Sequence, residues 1–140
     1  MAFNALIFDL ETTGIPDFKA AADAPGQPRM CSIAAALVDE NGSVLKSMHR
    51  LIRPENWESV VIEKAEAPDG AFSINKLSMA VLEEKGVPIV QALTEYDALV
   101  DECQGIASFG ISFDQKGARA EQSRAGRPDR YGERPTFCVM

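Results

Sequence analysis

An apolar run that ends in two carboxylates constrains this chain more than any other feature. Ala5-Leu6-Ile7-Phe8-Asp9-Leu10-Glu11 reads as a buried strand, and Thr12-Thr13-Gly14 follows at once as a turn. Side chains two apart on a strand point the same way, so Asp9 and Glu11 share a face. Like charges set side by side at the edge of a core are costly, through desolvation and repulsion, unless something compensates them. A divalent cation is the simplest compensation, and oxygen-only donors at a strand end suit Mg²⁺ or Mn²⁺. The alternative is that Glu11 opens the turn and merely solvates the strand end.

The 140 residues suffice for one domain with a real core and are too few for two ordinary ones. A hydrophobic content of 46% with 25% charged residues is that of a soluble globular protein. No apolar run approaches the roughly 20 residues that cross a bilayer, and the N-terminus lacks a signal-peptide layout. The expectation is a cytoplasmic protein with no membrane partner. Cys31, Cys103 and Cys138 are odd in number, far apart and in apolar surroundings, which predicts reduced core residues and neither a disulfide frame nor a zinc site.

A formal charge of −7 argues against holding nucleic acid by electrostatics alone. The charge is uneven, however. From Gln115 onward Lys116, Arg119, Arg124, Arg127, Arg130 and Arg134 stand against Glu121, Asp129 and Glu133. That asymmetry permits a phosphate-facing edge, although the plainer reading of each Arg is a solvated surface.

Along the chain, a first strand over residues 3–10 leads into a loop broken by Pro16, Pro25, Gly26 and Pro28. Apolar residues 30–38, an Asp-Glu-Asn-Gly turn and residues 43–52 predict a hairpin. Residues 55–70, with mixed charge and little periodicity, read as mostly irregular. A short helix is expected over 79–85, with Gly86 as a left-handed C-cap. Ile89, Leu93, Tyr96, Val100 and Cys103 recur at helical spacing, with Pro88 in the first turn. Residues 105–109 read as a buried strand, 112–124 as a helix and 136–140 as the start of another strand. The pattern is that of a mixed α/β sheet with helices packed on it.

Asp114 lies where that buried strand gives way to the next helix. A third carboxylate there could converge on Asp9 and Glu11 if the two strands are neighbours. Taken alone, Asp in a first helical turn is explained by capping and the helix dipole.

Together, Phe8-Asp9-Leu10-Glu11-Thr12-Thr13-Gly14, Cys31-Ser32-Ile33-Ala34, the Asn41-Gly42 hairpin, Leu51-Ile52-Arg53-Pro54, Gly86-Val87-Pro88-Ile89 and Ile111-Ser112-Phe113-Asp114 resemble, in order, the DnaQ-like (DEDD) family of 3′-to-5′ exonucleases. The resemblance implies a ribonuclease H-like fold, with the hairpin on one side of the first strand and the Gly105 strand on the other. It implies hydrolysis of phosphodiester bonds at nucleic-acid 3′ ends with two Mg²⁺ or Mn²⁺ ions about 3.5–4 Å apart. Asp9 would bridge the ions, with Glu11 and Asp114 completing the shell. Leu10, Thr12, Thr13 and Gly14 would meet the terminal nucleotide of single-stranded DNA or RNA, and Phe113 would pack under the site.

The chain departs from the family pattern in three places. Phe109-Gly110 stands where the family has His-Asn, and Ile74-Asn75-Lys76-Leu77 where it often has Ile-His-Gly-Ile. The family's last motif, a His acting as general base followed by a metal-binding Asp, does not occur after Asp114. Residues 1–140 therefore read as a single exonuclease-like domain whose C-terminal part is missing. His49, the only histidine, reads as a strand residue. A bare sheet face would then invite self-association or a polymerase partner. The alternative function is a non-catalytic nucleic-acid- or polymerase-binding domain of the same fold. A haloacid-dehalogenase-like phosphatase would need Asp in place of Glu11 and a downstream Lys motif.

Overall fold

The computed structural model describes residues 2–139. Strands β1 (Ala5–Thr12), β2 (Met30–Val38), β3 (Val44–Leu51), β4 (Gly105–Ser108) and β5 (Thr136–Cys138) form one sheet in the order β3-β2-β1-β4-β5. The β1–β2 and β2–β3 pairs are antiparallel, while β4 runs parallel to β1 and β5 parallel to β4. Helices α1 (Ser59–Glu66), α2 (Ala71–Asn75) and α3 (Met79–Lys85) follow the hairpin; α4 (Ile89–Asp101) precedes β4 and α5 (Ile111–Arg124) follows it. The expected α/β mixed sheet and the expected neighbours of β1 are both present.

The period of two along β1 positions everything else. Leu6, Phe8 and Leu10 are buried, whereas Ile7, Asp9 and Glu11 are exposed. The buried set joins Ile33, Ala35 and Leu37 of β2 and packs against α4 and α5. Phe8 lies 5.5 Å from Tyr96 and 5.9 Å from Tyr131, centroid to centroid. The two tyrosine hydroxyls satisfy each other at 2.6 Å, as buried polar groups require. On α4, Leu93, Tyr96 and Val100 are buried as their spacing predicts, and Pro88 serves as N-cap. Close approach of α5 depends on Gly117, where a Cβ would lie 3.0 Å from Leu10 Cδ1. A second cluster, Cys31, Ala65, Phe72 and Leu82 with Leu51, Trp57, Leu77 and Met79, holds α1 to α3 at the end of β2 and β3.

Several expectations need correction. Residues 55–70 are not irregular, because Ser59–Glu66 is helical and buries Val61 and Ala65 one turn apart. Its Val60-Val61-Ile62 run is β-branched and disfavours helix locally, so tertiary packing decides the segment. Gly86 is extended, with φ −75°. Its lack of a side chain serves packing instead, since a Cβ there would fall 2.3 Å from the Leu82 carbonyl oxygen and 2.4 Å from the Arg53 nitrogen. Cys138 is an exposed residue of β5, while Cys31 and Cys103 are buried, and none of the three forms a disulfide. Strand β1 runs through Glu11 and Thr12, which pair with Ser32 and Met30 across a register shift. Glu11 is thus a strand residue. The last expected strand ends at Cys138, and Met140 lies outside the described residues. Among the described residues no helix is long and apolar enough to cross a membrane.

Candidate active site

Asp9 and Glu11 project from the open face of β1, as their spacing requires. The parallel pairing of Ile7 with Ala107 brings the C-terminal end of β4 beside the second half of β1. The chain leaving Ser108 turns directly into α5, whose first turn carries Asp114. Asp114 is buried, at 4% exposure, and its Oδ1 accepts the Leu10 N–H at 3.3 Å. A third carboxylate therefore reaches the strand that bears the other two. The position, outside the carboxyl ends of two parallel neighbours, is where open α/β sheets bind ligands.

Two of the three groups respond to their neighbours. Burial pushes the Asp114 carboxyl up to about 6, the charges of Asp9 and Glu11 adding to the rise while the Ser108 hydroxyl and the Leu10 N–H oppose it. Ser108 Oγ is itself buried without a hydrogen bond of good geometry, so its effect on Asp114 is that of a nearby dipole. Glu11 is also raised, by burial first and by Asp9 second, with the Asn75 amide pulling the other way.

Other buried carboxylates in this molecule have cations beside them. Glu121 pairs with Arg29 and Arg124, and Asp97 with Arg127 and Arg130. Among the described residues Asp9, Glu11 and Asp114 take part in no ion pair. An acid buried without a positive partner beside two more acids suits a hard divalent cation by its donor chemistry. The donors are not gathered for one: among the described residues no three His, Cys, Asp or Glu side chains form a metal-holding group. Asp114 is turned inward to Leu10, whereas Asp9 and Glu11 face outward.

A cavity of about 450 Å³ opens beside Glu11, and Leu10, Thr12, Thr13, Gly14 and Phe113 all line it. Its rear wall comes from α1 and α2, which contribute Lys64, Ile74 and Asn75. Sequence reasoning missed Lys64 because the segment bearing it read as irregular. The strand end is held rigidly. Thr13 N–H donates to the Arg29 carbonyl at 2.9 Å, the Arg29 N–H donates to the Thr13 hydroxyl at 2.9 Å, and the Arg29 guanidinium is held by buried Glu121. Thr12 Oγ1 donates to the Gly14 carbonyl at 2.7 Å.

His49 is exposed on β3, opposite Ala34, which in turn sits opposite Asp9. It shares the row but stands two strands off, about 10 Å away at the usual strand spacing. Phe109 is 74% exposed, and Gly110 occupies the N-cap of α5 without a side-chain cap.

No family model and no curated protein matches this sequence. Solved structures do match. Escherichia coli exonuclease I in complex with a 5cy-dA13 oligonucleotide aligns over 97% of this chain and 28% of its own, with a TM-score of 0.74 and 17% identity. The metal-free form of the E. coli exonuclease I–ssDNA complex gives 0.73 at 17% identity, over 97% of this chain and 28% of its own. A moderately thermophilic exonuclease I from Methylocaldum szegediense gives 0.73 at 16% identity, over 99% and 28%. The likeness is one of fold: the sheet and its helices have the ribonuclease H-like arrangement expected from the sequence. The chain spans 28% of the length of these exonuclease I chains.

Proposed function

We propose that this chain is a metal-dependent 3′-to-5′ exonuclease domain that hydrolyses phosphodiester bonds at the 3′ ends of single-stranded DNA. One observation carries the reading: Asp114 is buried with no cation beside it and senses the charges of Asp9 and Glu11, and Glu11 lines a cavity of about 450 Å³. That volume lies in the range of roughly 300–1,000 Å³ usual for small-molecule sites, enough for one nucleotide. Further support comes from the fold shared with exonuclease I, solved with a dA13 oligonucleotide.

In this reading Asp9, Glu11 and Asp114 would hold Mg²⁺ or Mn²⁺, two ions in all, once the Asp114 carboxylate turned from Leu10 toward the other two. Bound ions of this kind polarise a phosphoryl oxygen and lower the pKa of an attacking water. The chain's own groups do the positioning. Leu10, Thr13 and Phe113 wall the terminal nucleotide, and backbone groups from Thr12 to Gly14 approach its sugar. Lys64, the one cation among the residues lining the cavity, offers its charge to a phosphate.

The test is digestion of a 5′-labelled single-stranded oligonucleotide with Mn²⁺. The expected result is a ladder shortening from the 3′ end, reduced to background by Asp9→Ala. A second reading, a non-catalytic nucleic-acid- or polymerase-binding domain, is favoured by one fact: the only histidine stands two strands from Asp9, so no imidazole is at hand as general base. Salt-sensitive oligonucleotide binding without a ladder would select it.

A further inference from the structure

Of the six cations from Lys116 onward, five are neutralised by carboxylates. Arg119 pairs with Asp129, Arg124 with Glu121, Arg127 with Asp97, Arg134 with Glu133, and Arg130 with Asp97, Asp101 and Glu133. Lys116 takes part in no ion pair among the described residues. Backbone holds it instead. Its half-buried Nζ donates to the Ala20 carbonyl at 2.8 Å and to the Phe18 carbonyl at 3.5 Å, and lies 5.8 Å from the centroid of the Phe18 ring. Two carbonyl dipoles fix the ammonium without cancelling its charge, and its third N–H is left for another acceptor.

The surroundings give that charge a use. Ser112, Gln115, Lys116 and Arg119, three and four residues apart, share one face of α5 and line a cavity of about 410 Å³ against residues 20–22. A cleft of about 10 Å³ lies between this cavity and the one beside Glu11. It shares Ala22 and Lys116 with the first, and Thr12 and Phe113 with the second. A strand whose terminal nucleotide filled the cavity at Glu11 could thus continue past Phe113 onto this face, meeting Lys116 on the way.

We propose that Lys116 binds the phosphodiester next upstream of the scissile one, and that the single strand runs on along this face of α5. The ligand chemistry is the phosphate backbone and not the bases. A chain of net charge −7 has no broad positive field to hold a polyanion, so an uncompensated cation at this place matters more. The proposal deepens the nuclease reading above and rests on it.

The test measures binding of the full chain to a 5′-labelled oligothymidylate by fluorescence anisotropy, with divalent ions chelated so that no strand is cut. A second strand carries a neutral methylphosphonate at the linkage next upstream of the 3′-terminal one. Lys116→Gln should weaken binding of the first strand about tenfold, the scale of one hydrogen bond to a charged group. The slope of log affinity against log salt should become shallower by about 0.7, the value for one phosphate contact in a single strand. The methylphosphonate should cost the parent as much and cost Lys116→Gln nothing further, as expected of two changes to one contact. Lys116→Arg should restore affinity and slope. Lys85→Gln, at the exposed end of α3, should leave both as in the parent. Additive losses overturn the proposal, because a lysine that only anchors the loop at Ala20 would weaken both strands alike. A parent that binds neither strand, or a Lys85→Gln effect equal to that of Lys116→Gln, also overturns it. The Mn²⁺-dependent ladder is scored separately: its absence beside non-additive losses removes the cleavage reading and keeps the phosphate site, and its presence beside additive losses does the reverse.

Discussion

The two faces of β1 carry alternate residues of one eight-residue strand and meet opposite surroundings. Leu6, Phe8 and Leu10 are sealed under α4 and α5. Ile7, Asp9 and Glu11 look out from the other side, with Ala36 and Ala107 flanking Ile7 in register and Phe137 beyond Ala107. The covered face carries the apolar burial that stabilises the domain; the open face carries the carboxylates. Alternation keeps the two tasks on separate side chains one residue apart. Stability and chemistry should therefore respond separately to substitution, and each prediction below asks where that separation fails.

The largest effect belongs to the covered face. Phe8 is 2% exposed and packs on both Tyr96 and Tyr131. Phe8→Ala is expected to cost about 3–5 kcal/mol through lost burial and the cavity left behind. Urea unfolding would measure it. On the nuclease reading, the fraction still folded should bind Mn²⁺ as the parent does, because Asp9 and Glu11 project from the opposite face of the strand. A folded Phe8→Ala protein with Mn²⁺ affinity lowered tenfold would break the separation of the two faces.

Asp114 is where the faces meet, buried on one side and sensing the charges of the other. Its folded-state pKa of about 6 lies above the ordinary Asp value of 3.8. Between those values the folded chain binds more protons at this site than the unfolded chain, so the slope of stability with pH is negative there. The contribution is fully present below about pH 4 and is lost as pH rises through about 6. Glu11, also raised, acts in the same direction. Glu95 and Glu133, lowered by Arg50 and Arg130 respectively, act in the opposite one. The informative quantity is thus a difference. Asp114→Asn keeps an oxygen for the Leu10 N–H and removes the charge, so its stability advantage over the parent should grow from pH 4 to pH 6 and level off above. Chemical denaturation at stepped pH would read it, and a constant difference would mean that Asp114 is no strained acid.

What the sequence could and could not disclose follows the same physics. That Asp9 and Glu11 share a face was legible because a period of two admits no other answer once the strand is recognised. The α4 face was legible because Ile89, Leu93, Tyr96 and Val100 recur at helical spacing, although Cys103, next in that row, lies past the end of the helix. Nothing comparable marks the cavity wall. In α1, β-branched Val60-Val61-Ile62 disguises a helix whose stability comes from Trp57, Leu51 and Cys31 around Ala65, contacts distant in sequence. Lys64 thus had no visible address. Asn75 stood out as a departure from a family pattern, but its bonds to Thr12 and Leu77 depend on the left-handed Lys76, which no propensity foretells. For Asp114, two ordinary roles fitted its place in a first helical turn until the β1–β4 pairing brought it to Leu10.

The smallest effect sharpens the comparison most. Ile7 lies between Leu6 and Phe8 in the chain, yet is 42% exposed. Its neighbours across the strands, Ala36 and Ala107, are small and offer it little to pack against. Ile7→Ser removes a β-branched side chain from a strand centre, which is worth at most about 1 kcal/mol where burial is partial. Phe8→Ala, one residue on, should cost several times more. If the two substitutions proved equally destabilising in the same urea series, the face bearing Asp9 and Glu11 would be supporting the fold as heavily as the covered one. The carboxylates would then sit in structure that cannot be altered independently of stability. If Ile7→Ser costs as little as expected, Asp9→Ala can be interpreted as chemistry, because a substitution two residues away on the same open face leaves the fold intact.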